Sequence, residues 1–165
     1  MPVYLNAFEA GTDPASLGFP HQPQGLGVVA MTAGALFGVH LESAVPAARD
    51  GAVAALRDLM ARHGAGPILA LYGSCNHAGR YPEAGNRLAA WQAEMEGIAR
   101  QLGGWHGPAR GCNTGFIEPR PGTTIEYQAD YGRGSCRIEY RRAAAAPPGQ
   151  LHEIDGATRL VEFAV

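Results

Sequence analysis

Apolar residues run almost unbroken over 26–32 and again over 35–41, split only at Ala33-Gly34. Runs of that length and continuity predict two neighbouring β-strands covered on both faces. The period then changes. Ala52, Leu56, Leu59 and His63 recur at helical spacing with Val53 and Met60 beside them, while Arg57, Asp58 and Arg62 form a polar face. This predicts a helix opened by Pro46 and stopped by Gly64. Residues 67–72 read as the next apolar strand. Leu88, Trp91, Met95, Ile98 and Leu102 predict a second helix over 82–102, ended by Gly103-Gly104. Short strands follow at 116–118, 123–129 and 135–141, the last two divided by the turn-forming Asp130-Tyr131-Gly132-Arg133-Gly134. Residues 143–150 read as a loop and 158–165 as a closing strand. Ahead of this block, residues 3–8 alternate like a short strand. Residues 11–25, with Pro14, Pro20 and Pro23, read as a loop carrying His21. The order predicts an α+β fold: a single layered domain over 1–165, with a mixed or antiparallel sheet packed by two main helices.

Composition narrows the chemistry. The 165 residues are 46% hydrophobic and 17% charged, with a formal net charge of −2. A chain of this size buries a core without disulfides or metals. That charge excludes broad phosphate binding, so no nucleic-acid partner is expected. Arg133, Arg137, Arg141 and Arg142 are the local basic concentration and read as a solvated strand face. Cys75, Cys112 and Cys136 are too few for a disulfide framework. There is no CxxC pair, HExxH helix, P-loop or post-strand GxGxxG, so no metal or cofactor is expected. The start MPVYLNAFEAG lacks the pattern of a signal peptide, and no apolar run reaches the roughly 20 residues that span a bilayer. A cytoplasmic protein without a membrane partner is expected; secretion without a cleaved signal is compatible with the same features.

Candidate chemistry gathers after the third apolar run, in Tyr72-Gly73-Ser74-Cys75-Asn76-His77. Cys75 could be a nucleophile if His40, at the end of the second run, or His77 lowers its pKa from about 8.5. It also reads as an inert half-buried cysteine. His40 has core-strand neighbours in Phe37, Val39 and Leu41, with Glu42 or Ser43 able to orient its ring. Gly111-Cys112-Asn113-Thr114-Gly115 could hold an oxyanion with backbone N–H groups, or form a plain turn. Cys136 and the tyrosines 127, 131 and 140 read as strand packing.

In this order the block 26–142 resembles the chemoreceptor glutamine deamidase CheD and the cytotoxic-necrotizing-factor-type deamidases. Gly38-Val39-His40-Leu41 matches the segment carrying the family's catalytic histidine. Leu71-Tyr72-Gly73-Ser74 matches a strand end, and residues 111–115 match the Gly-rich turn. The resemblance implies a Cys/His-dependent deamidase with a protein substrate. It also implies a nucleophilic cysteine near 25–28, where this chain has Gly25-Leu26-Gly27-Val28. Two functions follow. Either Cys75 acts as nucleophile with His40 or His77 as base and Asn113 at the oxyanion, or the domain is a non-catalytic protein-binding module such as an inhibitor, immunity-type partner or adaptor. The enzyme requires the Cys75 sulfur within about 4 Å of an imidazole nitrogen and open to a cleft.

Overall fold

The computed structural model describes residues 3–20, 25–42, 45–117, 123–141 and 149–155. Its elements are β1 (Val3–Tyr4), β2 (Ala10–Asp13), β3 (Ser16–Pro20), β4 (Leu26–Met31), β5 (Leu36–Leu41), α1 (Pro46–Arg62) and β6 (Ala70–Cys75). The short α2 (His77–Arg80) and the long α3 (Arg87–Leu102) follow. After them come β7 (Ala109–Asn113), β8 (Thr124–Asp130), β9 (Ser135–Arg141), β10 (Gly149–Gln150) and β11 (Ile154–Asp155). The fold class is α+β, as expected.

The strands form two sheets where one was expected. The outer sheet has the order β1-β3-β8-β9-β10, and the central sheet β11-β7-β6-β4-β5-β2. The continuous apolar runs explain the layering. In β4, Val29 and Met31 face the outer sheet, whereas Leu26, Val28 and Ala30 face the helices. Alternation therefore feeds two separate cores from one strand. The inter-sheet core holds Leu17, Phe19, Tyr72, Tyr127 and Ile138; the helix-side core adds Val53 and Leu56 of α1 and Trp91, Met95 and Ile98 of α3.

Several boundaries differ from expectation. Residues 11–25 contain β2 and β3, joined by a tight turn in which Asp13 Oδ2 accepts the N–H groups of Ala15 and Ser16, both at 2.8 Å. The turn signals there marked a connection between two strands, and His21 lies outside the described residues. The strand expected at 67–72 is displaced to Ala70–Cys75, in register with β4. Helix α3 starts at Arg87, where Asn86 Oδ1 accepts the Ala89 N–H at 3.0 Å, a side-chain cap that outweighs the upstream proline. The strand expected at 116–118 is replaced by β7 and a 3-10 turn at Thr114–Phe116. β7 runs parallel to β6, and Gly111 lies so close to the Gly73 carbonyl that no β-carbon fits between them. The closing strand at 158–165 and most of the loop at 143–150 lie outside the described residues. Arg137 and Arg141 occupy the solvent side of β9, about half exposed and paired with Glu139 and Glu126, whereas Arg133 lies in the preceding turn and Arg142 outside the described residues.

Residues 3–8 form only the two-residue β1 before the chain turns. Phe8 N–H donates to the His40 carbonyl (2.8 Å) and His40 N–H donates to the Glu9 carbonyl (3.1 Å), so two residues oppose one in a β-bulge. The bulge holds Phe8 at φ 62°, a left-handed conformation that disfavours a bulky residue. Phe8→Gly should therefore raise unfolding stability by about 0.5–1 kcal/mol, the left-handed penalty less the entropy of glycine. Urea unfolding measures this; a loss of stability would mean that the Phe8 ring supports the fold.

Candidate functional site

Register decides which candidate residues can meet. Gly27 pairs with His40 on one side and with Ser74 on the other. Directly paired residues point to the same face, and neighbours along a strand to opposite faces. His40 and Ser74 therefore face the outer sheet, and Cys75 faces the helices. His40 touches Phe19 in an edge contact (centroids 5.8 Å apart), whereas Cys75 belongs to the helix-side core with Trp91 and Met95. The central sheet separates the thiol from His40; His77 shares the helix side but is not among the groups acting on the thiol.

Cys75 is fully buried. Burial pushes its thiol up to about 12, with Glu94 acting in the same direction and Arg80 and Tyr81 only partly opposing it. No imidazole is among the groups acting on it. The expected opening to a cleft is therefore missing at Cys75, and the thiol stays protonated at neutral pH. Cys112 and Cys136 are buried in the inter-sheet core with thiols pushed up in the same way.

His40 is 2% exposed. Its Nδ1–H donates to the Leu5 carbonyl at 2.9 Å, which leaves Nε2 as the acceptor nitrogen of a neutral ring. Burial holds its pKa below the ordinary value, against the Leu5 carbonyl and the Glu42 and Glu9 carboxylates. Glu42 Oε2 lies 3.3 Å from Nε2 without the alignment of a hydrogen bond. A β-carbon at Gly25 would stand 2.7 Å from that nitrogen. Where the resemblance calls for a cysteine, backbone alone lies against His40.

His77 opens α2 and lies on the helix side. It stacks on Trp91 at 5.7 Å and 25° and meets Tyr81 edge-on at 6.1 Å. Neither ring nitrogen has a hydrogen-bond partner among the described residues, and burial alone lowers its pKa to about 4. Asn113 shares this end of the sheet, in register with Cys75. Its Oδ1 accepts the N–H groups of His77 and Gly115, both at 3.0 Å. Two amides that could have cradled an oxyanion are therefore already bonded, and Asn113 ties the exit of β6 to that of β7.

The dominant polar feature was missed in the sequence. Arg80 Nε and Nη2 donate to Glu94 Oε1 and Oε2 at 2.7 and 2.9 Å, and Arg80 Nη1 donates to the Leu41 carbonyl at 3.1 Å. The Tyr81 hydroxyl adds a 2.6 Å bond to Glu94 Oε1, and Arg49 of α1 reaches Oε2 at 3.4 Å. Burial alone would raise the Glu94 carboxyl; Arg80, Tyr81 and Arg49 override it and hold it below the usual range. The available signal was Glu94 itself, three residues after Trp91 and four before Ile98 on the buried stripe of α3.

Among the described residues no group of three or more His, Cys, Asp or Glu side chains is placed to hold a metal ion, and no helix is long and apolar enough to cross a membrane. No protein-family model matches the chain, and no curated protein matches its sequence.

Two outcomes follow. Glu94→Ala removes the bidentate carboxylate from the buried Arg80 guanidinium and should cost about 3–5 kcal/mol in urea unfolding; a cost under about 1 kcal/mol would mean that Arg80 is solvated. The unfolded chain protonates His77 near pH 6.5 and the folded chain only near 4, so stability falls as pH drops through that window. His77→Phe should flatten this fall by about 2–3 kcal/mol between pH 7 and 4, read as the difference from wild type. Parallel curves for the two proteins would show that His77 is not sealed.

Proposed function

We propose that this chain is a deamidase-like α+β domain that works by recognising a protein, without thiol catalysis. The observation that carries this reading is the placement of Cys75 and His40 on opposite faces of the central sheet. A Cys/His amidase needs thiolate and imidazole in hydrogen-bond reach, with backbone N–H groups free for the oxyanion. Here the thiol is sealed, the nearby amides are occupied, and Gly25 lies where a nucleophile would have to reach His40. Support for binding comes from large apolar side chains left on the surface, Phe8 at 44% and Val45 at 58% exposure, flanking the segment that carries His40. Phe8 is also held in a costly conformation, a feature that persists where function demands it. An inhibitor, immunity-type partner or adaptor fits these features.

Iodoacetamide labelling of the native protein across pH, read by peptide mapping, tests this reading. Cys75 should remain unlabelled at neutral pH and react only after unfolding. Rapid native labelling with a midpoint below that of free cysteine, about 8.5, would restore the thiol-dependent enzyme. Capture of the tagged chain from its native host should retain a protein in stoichiometric amount, and recovery of the chain alone would count against the binding role.

A further inference from the structure

Among the described residues, β1, β10 and β11 end their sheets with two-residue strands, whereas β2 offers a four-residue edge. The bulge at His40 sets the parity of that edge. Gly11 and Asp13 turn their peptide groups toward Gly38 and Leu36, so Ala10 and Thr12 turn theirs outward. No partner for these outward groups exists among the described residues, and all four residues of β2 are half-exposed. No lysine, proline or further bulge interrupts the edge from Ala10 to Asp13, the usual protections of an exposed strand.

The charges at its ends choose the occupant. Glu9 and Asp13 flank the edge, and each uses one carboxylate oxygen locally: Glu9 Oε2 accepts the Asn6 N–H, and Asp13 Oδ2 the N–H groups of Ala15 and Ser16. Among the described residues the second oxygen of each has no hydrogen-bond partner. A second copy is disfavoured, because the antiparallel register that uses Ala10 and Thr12 of both copies sets Glu9 against Asp13. The exposed Phe8 ring adds an apolar anchor at the Glu9 end. We propose that the β2 edge receives an extended segment of a partner protein by strand addition, with Lys or Arg side chains four residues apart meeting Glu9 and Asp13. Main-chain bonds to Ala10 and Thr12 supply affinity, and the two cations and an apolar contact with Phe8 supply specificity. This inference rests on the protein-binding reading and identifies its surface.

The test uses the full isotope-labelled chain and two blocked peptides, Lys-Val-Thr-Val-Lys and Glu-Val-Thr-Val-Glu, whose palindromic order serves either strand direction. The lysine peptide should cause saturable amide shifts over residues 8–13 and slow exchange of the Ala10 and Thr12 amides by at least about tenfold; the glutamate peptide should do neither. Ala10→Pro removes an outward N–H without touching the β5 ladder and should abolish the response; Thr12→Pro, which also removes the Thr12 hydroxyl bond to the Leu36 carbonyl, is the second variant if the first misfolds. Phe8→Gly should weaken peptide binding by about threefold to tenfold. The proposal is overturned by no response to the lysine peptide, by equal responses to both peptides, or by protection of Ala10 and Thr12 in the free chain. Protection that grows with protein concentration would overturn it in favour of a second copy. A silent edge combined with an unreactive Cys75 removes this surface and leaves the binding-domain reading standing.

Discussion

The buried pair between Arg80 and Glu94 is the constraint on which this end of the molecule depends. One guanidinium joins α2, α3 and the last carbonyl of β5, and the carboxylate it faces also holds Tyr81 and the Arg49 side chain of α1. Burying two charges is expensive, and the cost is offset by the bidentate Arg80–Glu94 contact together with the bonds to the Leu41 carbonyl, the Tyr81 hydroxyl and Arg49. Such a pair specifies position more than it adds stability. It fixes where α2 leaves β6, and therefore where Cys75, His77 and Asn113 come to rest.

From that placement the chemistry follows. Alternation along β5 and β6 sends His40 to the inter-sheet core and Cys75 to the helix-side core. The two residues that looked most reactive thus stand in different cores, each shifted by burial toward its neutral form. His77 is neutral for the same reason, stacked on Trp91 with neither ring nitrogen bonded among the described residues. A thiol kept protonated by burial, on the face of the sheet opposite His40, lacks the activation that a cysteine nucleophile needs. This arrangement is compatible with a domain whose working parts are its surface and its strand edge.

The α+β class, β4, β5, β9 and both long helices were legible because their hydrophobic periods are strong and their ends carry Gly, Pro or a clear polarity change. Three things were not. The division into two sheets depends on which strands pair at long range, and a doubly covered strand looks alike in one sheet or between two. β2 and β3 were hidden by the Pro and Gly residues around their turn, and β7 by Gly111, whose role is close approach to the Gly73 carbonyl. The candidate residues were placed on the right strand ends, but their separation needed the register: one residue's difference between Ser74 and Cys75 decides which core a side chain enters. The Arg80–Glu94 pair needed contacts between segments fourteen residues apart, for which no local pattern exists.

The central claim is that Cys75 is a sealed thiol on the face opposite His40. The most direct measurement is the 13Cβ shift of Cys75, which separates thiol from thiolate, followed from about pH 6 to about pH 10 in the folded protein. The account predicts the thiol signal across that range, unchanged by His40→Ala. A thiolate transition near or below neutral pH, displaced by removal of His40, would contradict it.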